Sequence, residues 1–485
     1  MSHASEFPKD FLWGAATSSY QIEGASAKEQ RGQHVWDALC RKPGAIYNGH
    51  TGEVACDHVG HMAEDIGIMA DMGLKAYRFS ISWPRVIPTG VGAVNGPGLD
   101  FYSRLVDGLL EHGIQAWATL FHWDFPLPLY EKGGWMNRDS AMWFGDYTKV
   151  VVAKLSDRVT HWMTINEPQV VAQLGHADGT HAPGIKLPMR EQLTVVHNML
   201  RAHGACAAAI RNGAKKPPTI GWAPVGHVTC PATDDTATVE AARAETFKVG
   251  KENLWNNTWF SDPVCLGHYP EDGLKAYEGN LPDIQSGDME LIRQKLDFYG
   301  VNIYSGGIIR LKDGKTVEQV QSVAGSPRTS FNWTINGEAL RYGPKFIFER
   351  YKLPVIITEN GMANLDWVDM DGTVHDPQRI DYTRRYLTSL RRAIADGTDV
   401  RGYFHWSLLD NFEWAEGYNQ RFGMIHVDFQ TLKRTPKLSA HWYKRVIETN
   451  GASLEEKIAF TPPAERDPAV IVYTNGARKL DGARG

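Results

Sequence analysis

Along most of the chain a short apolar or β-branched run alternates with a longer stretch whose apolar residues recur at helical spacing. The short runs predict strands at Phe11–Ala16, Ala76–Ser82, Gln115–Leu120, His161–Asn166, Thr219–Ala223, Phe298–Ile303, Val355–Glu359 and Val400–His405. Helical stretches fill most of the intervals. In Leu99–His112, the residues Leu105, Leu109 and Leu110 share one face, and Gly113 stands where a helix commonly ends in the left-handed conformation. Arg379–Asp396 is a second long, charged and amphipathic stretch. Eight strands alternating with helices predict a parallel sheet, and eight is the number that closes a (β/α)8 TIM barrel. An open, doubly wound sheet is the competing arrangement.

No internal repeat and no low-complexity linker divides the 485 residues. The length exceeds that of an ordinary domain, but α/β barrels absorb long loop insertions. One barrel domain with extended βα loops is therefore expected over residues 1–450. Residues 451–485 read as a peripheral C-terminal extension and not as a separate domain. The stretch Ser305–Asn336 contains KDGK, AGSP and NW and has weak periodicity. It reads as an extended loop after the sixth strand, where barrel enzymes place substrate-binding insertions.

Composition narrows the function. Hydrophobic residues make up 42%, enough for a large core, and the net charge of −5 comes from acids and bases mixed along the chain. That is unlike the basic footprint of a nucleic-acid binder. The amino terminus lacks a basic segment followed by an apolar one, so no signal peptide is expected. No apolar run approaches the roughly 20 residues that span a bilayer, so no membrane partner is expected. The five cysteines, Cys40, Cys56, Cys206, Cys230 and Cys265, are scattered, which predicts free thiols in a reducing cytoplasm. Association into a homo-oligomer is left open.

Two strand ends carry candidate chemistry. The fourth strand runs HWMTIN into Asn166-Glu167-Pro168, and the seventh runs VIIT into Glu359-Asn360-Gly361. Residues at the C-terminal ends of barrel strands face the mouth. Either glutamate alone reads equally well as a salt-bridged or solvated loop residue. Together they form the pair that glycoside hydrolysis needs, one group to protonate the leaving oxygen and one to meet the oxocarbenium-like centre. Their repulsion would raise one pKa and keep that group protonated near neutral pH. The 16 tryptophans supply flat apolar faces suited to pyranose rings. Scattered cysteines and the lack of a His-x-x-x-His pattern leave no metal-ligand set, so no metal or cofactor is expected.

The segments FLWGAATSSYQIEG, YRFSISWPR, FHWDFP, TINEP, YGVNIY, ITENG and HWSLLDNFEWAEGYNQRFG, in that order, carry a resemblance to glycoside hydrolase family one, the β-glucosidase family, from Phe11 to about Ile447. The resemblance implies a retaining β-glucosidase acting on a small carbohydrate, with Glu359 as nucleophile and Glu167 as general acid/base. Gln21, His122, Asn166, Glu413 and Trp414 match residues that hydrogen-bond the sugar, and Trp406 matches the platform beneath it. Asn302 and Tyr304 match residues beside the nucleophile, and Arg78 matches the arginine that pairs with it. Arg78 is expected to lower the pKa of Glu359. His122 also reads as a satisfied core histidine, and Tyr304 as packing. Trp13, Trp83 and Trp162 are assigned to structure.

Asn411-Phe412-Glu413-Trp414 retains a carboxylate that would repel a 6-phosphate, which implies an unphosphorylated glucoside, with galactosides or fucosides as the alternative. The residue after Asn-Glu-Pro is often tryptophan in the family and is Gln169 here, which puts the aglycone preference in doubt. A non-catalytic sugar-binding barrel is the reading from another class.

Overall fold

The computed structural model describes residues 7–24 and 31–456. Eight strands form one parallel sheet: β1 (Leu12–Ala16), β2 (Ala76–Ser80), β3 (Gln115–Phe121), β4 (His161–Asn166), β5 (Thr219–Ala223), β6 (Tyr299–Asn302), β7 (Val355–Asn360) and β8 (Val400–Trp406). Their order is β5-β4-β3-β2-β1-β8-β7-β6. The eighth seam, between β5 and β6, closes the ring through backbone bonds. The amides of Asp297 and Asn302 donate to the carbonyls of Ile220 and Pro224, and Gly226 donates to Asn302. This is a (β/α)8 barrel, and the open sheet is excluded.

Each strand coincides with an apolar run in the sequence to within two residues. The reason is burial: strands covered by helices outside and by each other's side chains inside read as continuous hydrophobic segments. The helix expected over Leu99–His112 spans Gly96–Glu111, with Gly113 beyond it at φ +71°. That expected over Arg379–Asp396 spans Pro377–Ala395.

The period of two along a strand sets the barrel's interior in layers. Ala76, Trp117, Met163, Phe298, Ile356 and Phe404 belong to one apolar cluster inside the ring. Two residues further toward the C-terminal ends, β2, β3 and β7 carry Arg78, Thr119 and Thr358, all fully buried. An apolar plug therefore supports a polar layer at the mouth, as in other filled barrels. Trp13, Trp83 and Trp162 are buried structural residues, as expected.

The expectation of an irregular loop over Ser305–Asn336 is corrected in part. Gly307–Lys312 and Thr316–Gln319 pair as an antiparallel hairpin around Asp313-Gly314, and Gly307–Lys312 also pairs in parallel with Thr229–Pro231 after β5. The hairpin is mostly exposed on both faces. Its residues therefore lack the apolar alternation that marks a half-buried strand, although Asp-Gly is a hairpin turn signal. A second small hairpin, Ile425–Val427 with Arg434–Pro436, follows β8. Of the expected extension 451–485, residues 457–485 lie outside the described residues. Among the described residues no helix is long and apolar enough to cross a membrane.

The closing seam depends on a missing side chain. A Cβ on Gly300 would stand 2.3 Å from the carbonyl oxygen of Trp222. Gly300→Ala should destabilise the fold by about 1–3 kcal/mol, the range for forced overpacking. Urea unfolding of the variant beside the wild type measures this, and an unchanged midpoint would show that the seam has room.

Candidate active site

At the C-terminal ends of the strands lies a cavity of about 710 Å³, within the range of roughly 300–1,000 Å³ typical of small-molecule sites. Of the expected residues, Glu167, Glu359, Asn302, Tyr304, His122, Trp406, Glu413 and Trp414 line it. Arg78, Gln21 and Asn166 do not. Each is fully buried and bonded to a residue that does line the cavity: Arg78 to Glu359, Gln21 to Glu413 and Asn166 to His122.

Glu359 ends β7 between two strong donors. Arg78 Nη1 donates to its Oε1 at 2.6 Å, and Tyr304 Oη donates to its Oε2 at 2.6 Å. Arg78 also reaches the Thr358 carbonyl, Asn166 Oδ1 at 2.7 Å and Thr119 Oγ1 at 3.2 Å. Tyr304 is thus a working donor as well as a packing residue. Burial pushes the Glu359 carboxyl up overall, against the pull of Arg78 and of the Tyr304 hydrogen bond. The sequence expectation that Arg78 lowers this pKa holds for the direction of Arg78's effect, but desolvation outweighs it.

Glu167 follows β4 with a left-handed backbone, φ +43°. It has one neutral donor, Asn302 Nδ2 at 2.9 Å. The same amide donates to Asn166, and its oxygen accepts from Thr358, so Asn302 ties the ends of β4, β6 and β7 together. Burial, followed by repulsion from Glu359, pushes Glu167 up to about 8, and the Asn302 bond only partly opposes this. Charge-assisted bonds are roughly twice as strong as neutral ones. The proton shared by this coupled pair therefore belongs on Glu167.

In the same cavity Glu413 Oε2 accepts from Gln21 Nε2 and Asn411 Nδ2, both at 3.2 Å. Burial pushes Glu413 up to about 8 as well. Its loop is anchored by buried charges. Lys437 Nζ bridges Asp410 Oδ1 at 2.7 Å and Asp366 Oδ2 at 2.6 Å, and Arg421 holds Asp410 Oδ2 at 2.6 Å. Trp406 and Trp414 each lie nearly parallel to the His122 ring, at 5.7 and 5.9 Å. Burial and Arg78 hold His122 far below its ordinary pKa, so it is neutral. Its Nδ1 is buried with no partner among the described residues, which sets aside the reading of a satisfied core histidine.

Three lining residues, Trp123, Glu167 and Trp414, are non-glycine residues at positive φ. Such conformations cost of order 1–3 kcal/mol each and persist where the surroundings over-determine them. Sequence reasoning missed the aromatic rim. Trp255 follows β5, and Phe331 and Trp333 sit in the insertion after β6, stacked at 4.9 Å. The NW in that insertion was the available signal.

Comparison with known proteins places this geometry. The model for glycosyl hydrolase family 1 matches residues 3–452. A 1,4-beta-D-glucan glucohydrolase of Thermotoga neapolitana is 45% identical over 448 residues, covering 92% of this chain and 99% of its own. Beta-glucosidase A of Thermotoga maritima is 43% identical over 450 residues, covering 93% and 99%. The solved structure of beta-glucosidase from Thermotoga maritima in complex with glucoimidazole superimposes with a TM-score of 0.84 at 43% identity, covering 92% of this chain and all of that one.

The unequal carboxyls give a pH prediction. Between its ordinary value of 4.5 and about 8, Glu167 holds a proton in the native state that the unfolded chain does not, so its contribution to stability is lost as pH rises through that window. Glu359→Gln removes the repelling charge and should lower the Glu167 pKa. Titration of the ¹³C-labelled Glu167 carboxyl by NMR measures the shift. A midpoint that stays in place would assign the perturbation to burial alone.

Proposed function

The chain belongs to glycosyl hydrolase family 1, and on that premise we propose that it is a retaining β-glucosidase in which Glu359 is the nucleophile and Glu167 the general acid/base. It releases glucose from terminal non-reducing β-D-glucosyl residues of small glucosides. The observation that carries the assignment is the unequal donor set: a cation and a phenol on Glu359, one amide on Glu167.

In the first step the Glu359 carboxylate attacks the anomeric carbon while Glu167 gives its proton to the departing glycosidic oxygen. The charge of Glu359 is then spent in an ester. Since that charge is the second-largest cause of the raised Glu167 pKa, the Glu167 pKa falls when the ester forms. As a carboxylate, Glu167 now takes a proton from water, the water attacks the same carbon, and Glu359 leaves with its charge restored. Arg78 and Tyr304 hold Glu359 through both steps.

Glucose is favoured over galactose or fucose by the β-glucosidase and glucan glucohydrolase names of relatives at 43–45% identity. Glu413 would meet the O4 and O6 hydroxyls. With its carboxyl pushed up to about 8, it is largely uncharged at neutral pH, so exclusion of a 6-phosphate rests there on burial without a paired cation. The five free cysteines are consistent with a cytoplasmic setting.

Glu359→Ala should abolish turnover, with azide or formate restoring part of it and giving the inverted product. Glu167→Ala should spare the first step for substrates with good leaving groups. Kinetics on an activated aryl glucoside check both, and identical losses without rescue would overturn the assignment. Glu413→Ala should lower kcat/KM on glucosides by about tenfold to a hundredfold, the effect of removing a buried hydrogen-bond partner and stranding the groups it held. Preference for the plain over the 6-phosphorylated aryl glucoside should widen from pH 7 to 9 as Glu413 gains its charge. A ratio that stays flat, or one that widens equally in Glu413→Gln, would remove Glu413 from phosphate exclusion.

A further inference from the structure

The outer half of the cavity has a wall whose construction the catalytic chemistry does not explain. From Glu167 the chain enters a helix, Pro168–Val170, that continues as a wider helix over Val171–Ala177. Two of its faces matter. Val170 and Leu174, four apart, line the cavity. Gln169 and Gln173, also four apart, turn to the backbone of the opposing wall, and both are buried.

Gln169 accepts from the Val225 amide at 3.1 Å and donates to the Val225 carbonyl at 3.3 Å, occupying both polar groups of one residue. It also reaches the Asn256 carbonyl, at a long 3.5 Å. Gln173 Oε1 accepts from the Leu254 amide at 2.8 Å. The backbone on either side of Trp255 is thus bonded to the helix that begins at Glu167. Asn257 completes the lattice, exchanging two bonds with the His227 backbone at 2.8 and 3.0 Å. Trp255 and His227, whose rings lie 5.4 Å apart, line the cavity with Val225 and Val228.

We propose that Gln169 and Gln173 are positioning residues for aglycone recognition: they fix Trp255 and the Val225–Val228 segment as a wall against which an aromatic aglycone packs. This rests on the β-glucosidase reading. The aromatic class follows from the apolar faces of the lining. Trp255 and Val228 stand on one wall, Phe331 and Trp333 come from the loop after β6, and Leu174 comes from the helix. His227, Ser305 and Thr334 line the same cavity and offer partners to hydroxyls as well. A flat ring offers apolar area and stacking.

The neighbours of Val225 pair with Asn302, and Gln169 holds the two backbone groups of Val225 itself. Removal of Gln169 strands the Val225 amide and carbonyl and lets the wall relax. Bond cleavage at the anomeric carbon, held by a separate network, does not require that wall.

The test compares kcat/KM on p-nitrophenyl β-glucoside and on β-glucosyl fluoride, whose leaving group has no body to contact the wall. Gln169→Ala and Gln173→Ala should each lower the aryl-to-fluoride ratio by about tenfold. Trp255→Ala, a change of a partly exposed loop residue, should reproduce that loss even if a glutamine variant folds poorly. Parallel losses on both substrates, or an unchanged ratio in Trp255→Ala, overturn the proposal. A wild type inactive on both substrates would overturn the β-glucosidase reading, and the proposal with it. An active wild type with an unmoved ratio sinks the glutamine clamp alone.

Discussion

The mouth of this barrel is organised by one buried cation. Arg78 is fully buried on β2, and its guanidinium bonds Thr119 on β3, Asn166 on β4, and both Thr358 and Glu359 on β7. A guanidinium in the interior is tolerated only when its charge and its donors are matched. Four strand ends are therefore held in one register by the requirement to satisfy a single side chain. The same group creates the asymmetry on which the chemistry depends. It acts on Glu359 through a short charged bond, and on Glu167 through its field and through Asn166 and Asn302, without a hydrogen bond of its own.

Away from this centre the site is anchored in two further ways. The loop bearing Glu413 and Trp414 is pinned by ionic groups: Asp410 receives Lys437 and Arg421, and Lys437 continues to Asp366. The aglycone wall is pinned by neutral amides, Gln169 and Gln173. Both serve long βα loops, the second of which is also tied to β6 through the backbone of Asn302. The charged anchor supports the loop that carries Glu413, and the uncharged one borders Trp255.

Much of this was legible in the sequence, for a physical reason. Barrel strands are buried on both faces, so each reads as an apolar run, and polar residues intruding at strand ends stand out, as Asn166-Glu167 and Glu359-Asn360 do. The hairpin at Gly307–Lys312 and Thr316–Gln319 was not legible, because its exposed residues carry no burial pattern. Nor was the aromatic rim. Trp255, Phe331 and Trp333 come from separate loops and meet only through the fold. The sequence marked Gln169 as a departure toward the aglycone side. Its partners, Val225 and Asn256, lie 56 and 87 residues away and could not be read from it. The raised pKa values of Glu359 and Glu413 were likewise hidden, since desolvation is a property of the assembled cavity.

The central claim is that Arg78 and Tyr304 make Glu359 the carboxylate that bonds to the sugar, and it can be read from a trapped intermediate. A 2-deoxy-2-fluoroglucosyl fluoride slows both half-reactions by destabilising the oxocarbenium-like transition state, while its good leaving group lets the first proceed. After incubation and proteolysis, mass spectrometry should find the fluorosugar esterified to the peptide carrying Glu359. Label on the peptide carrying Glu167, or no covalent label from an enzyme that this compound inactivates, would contradict the account.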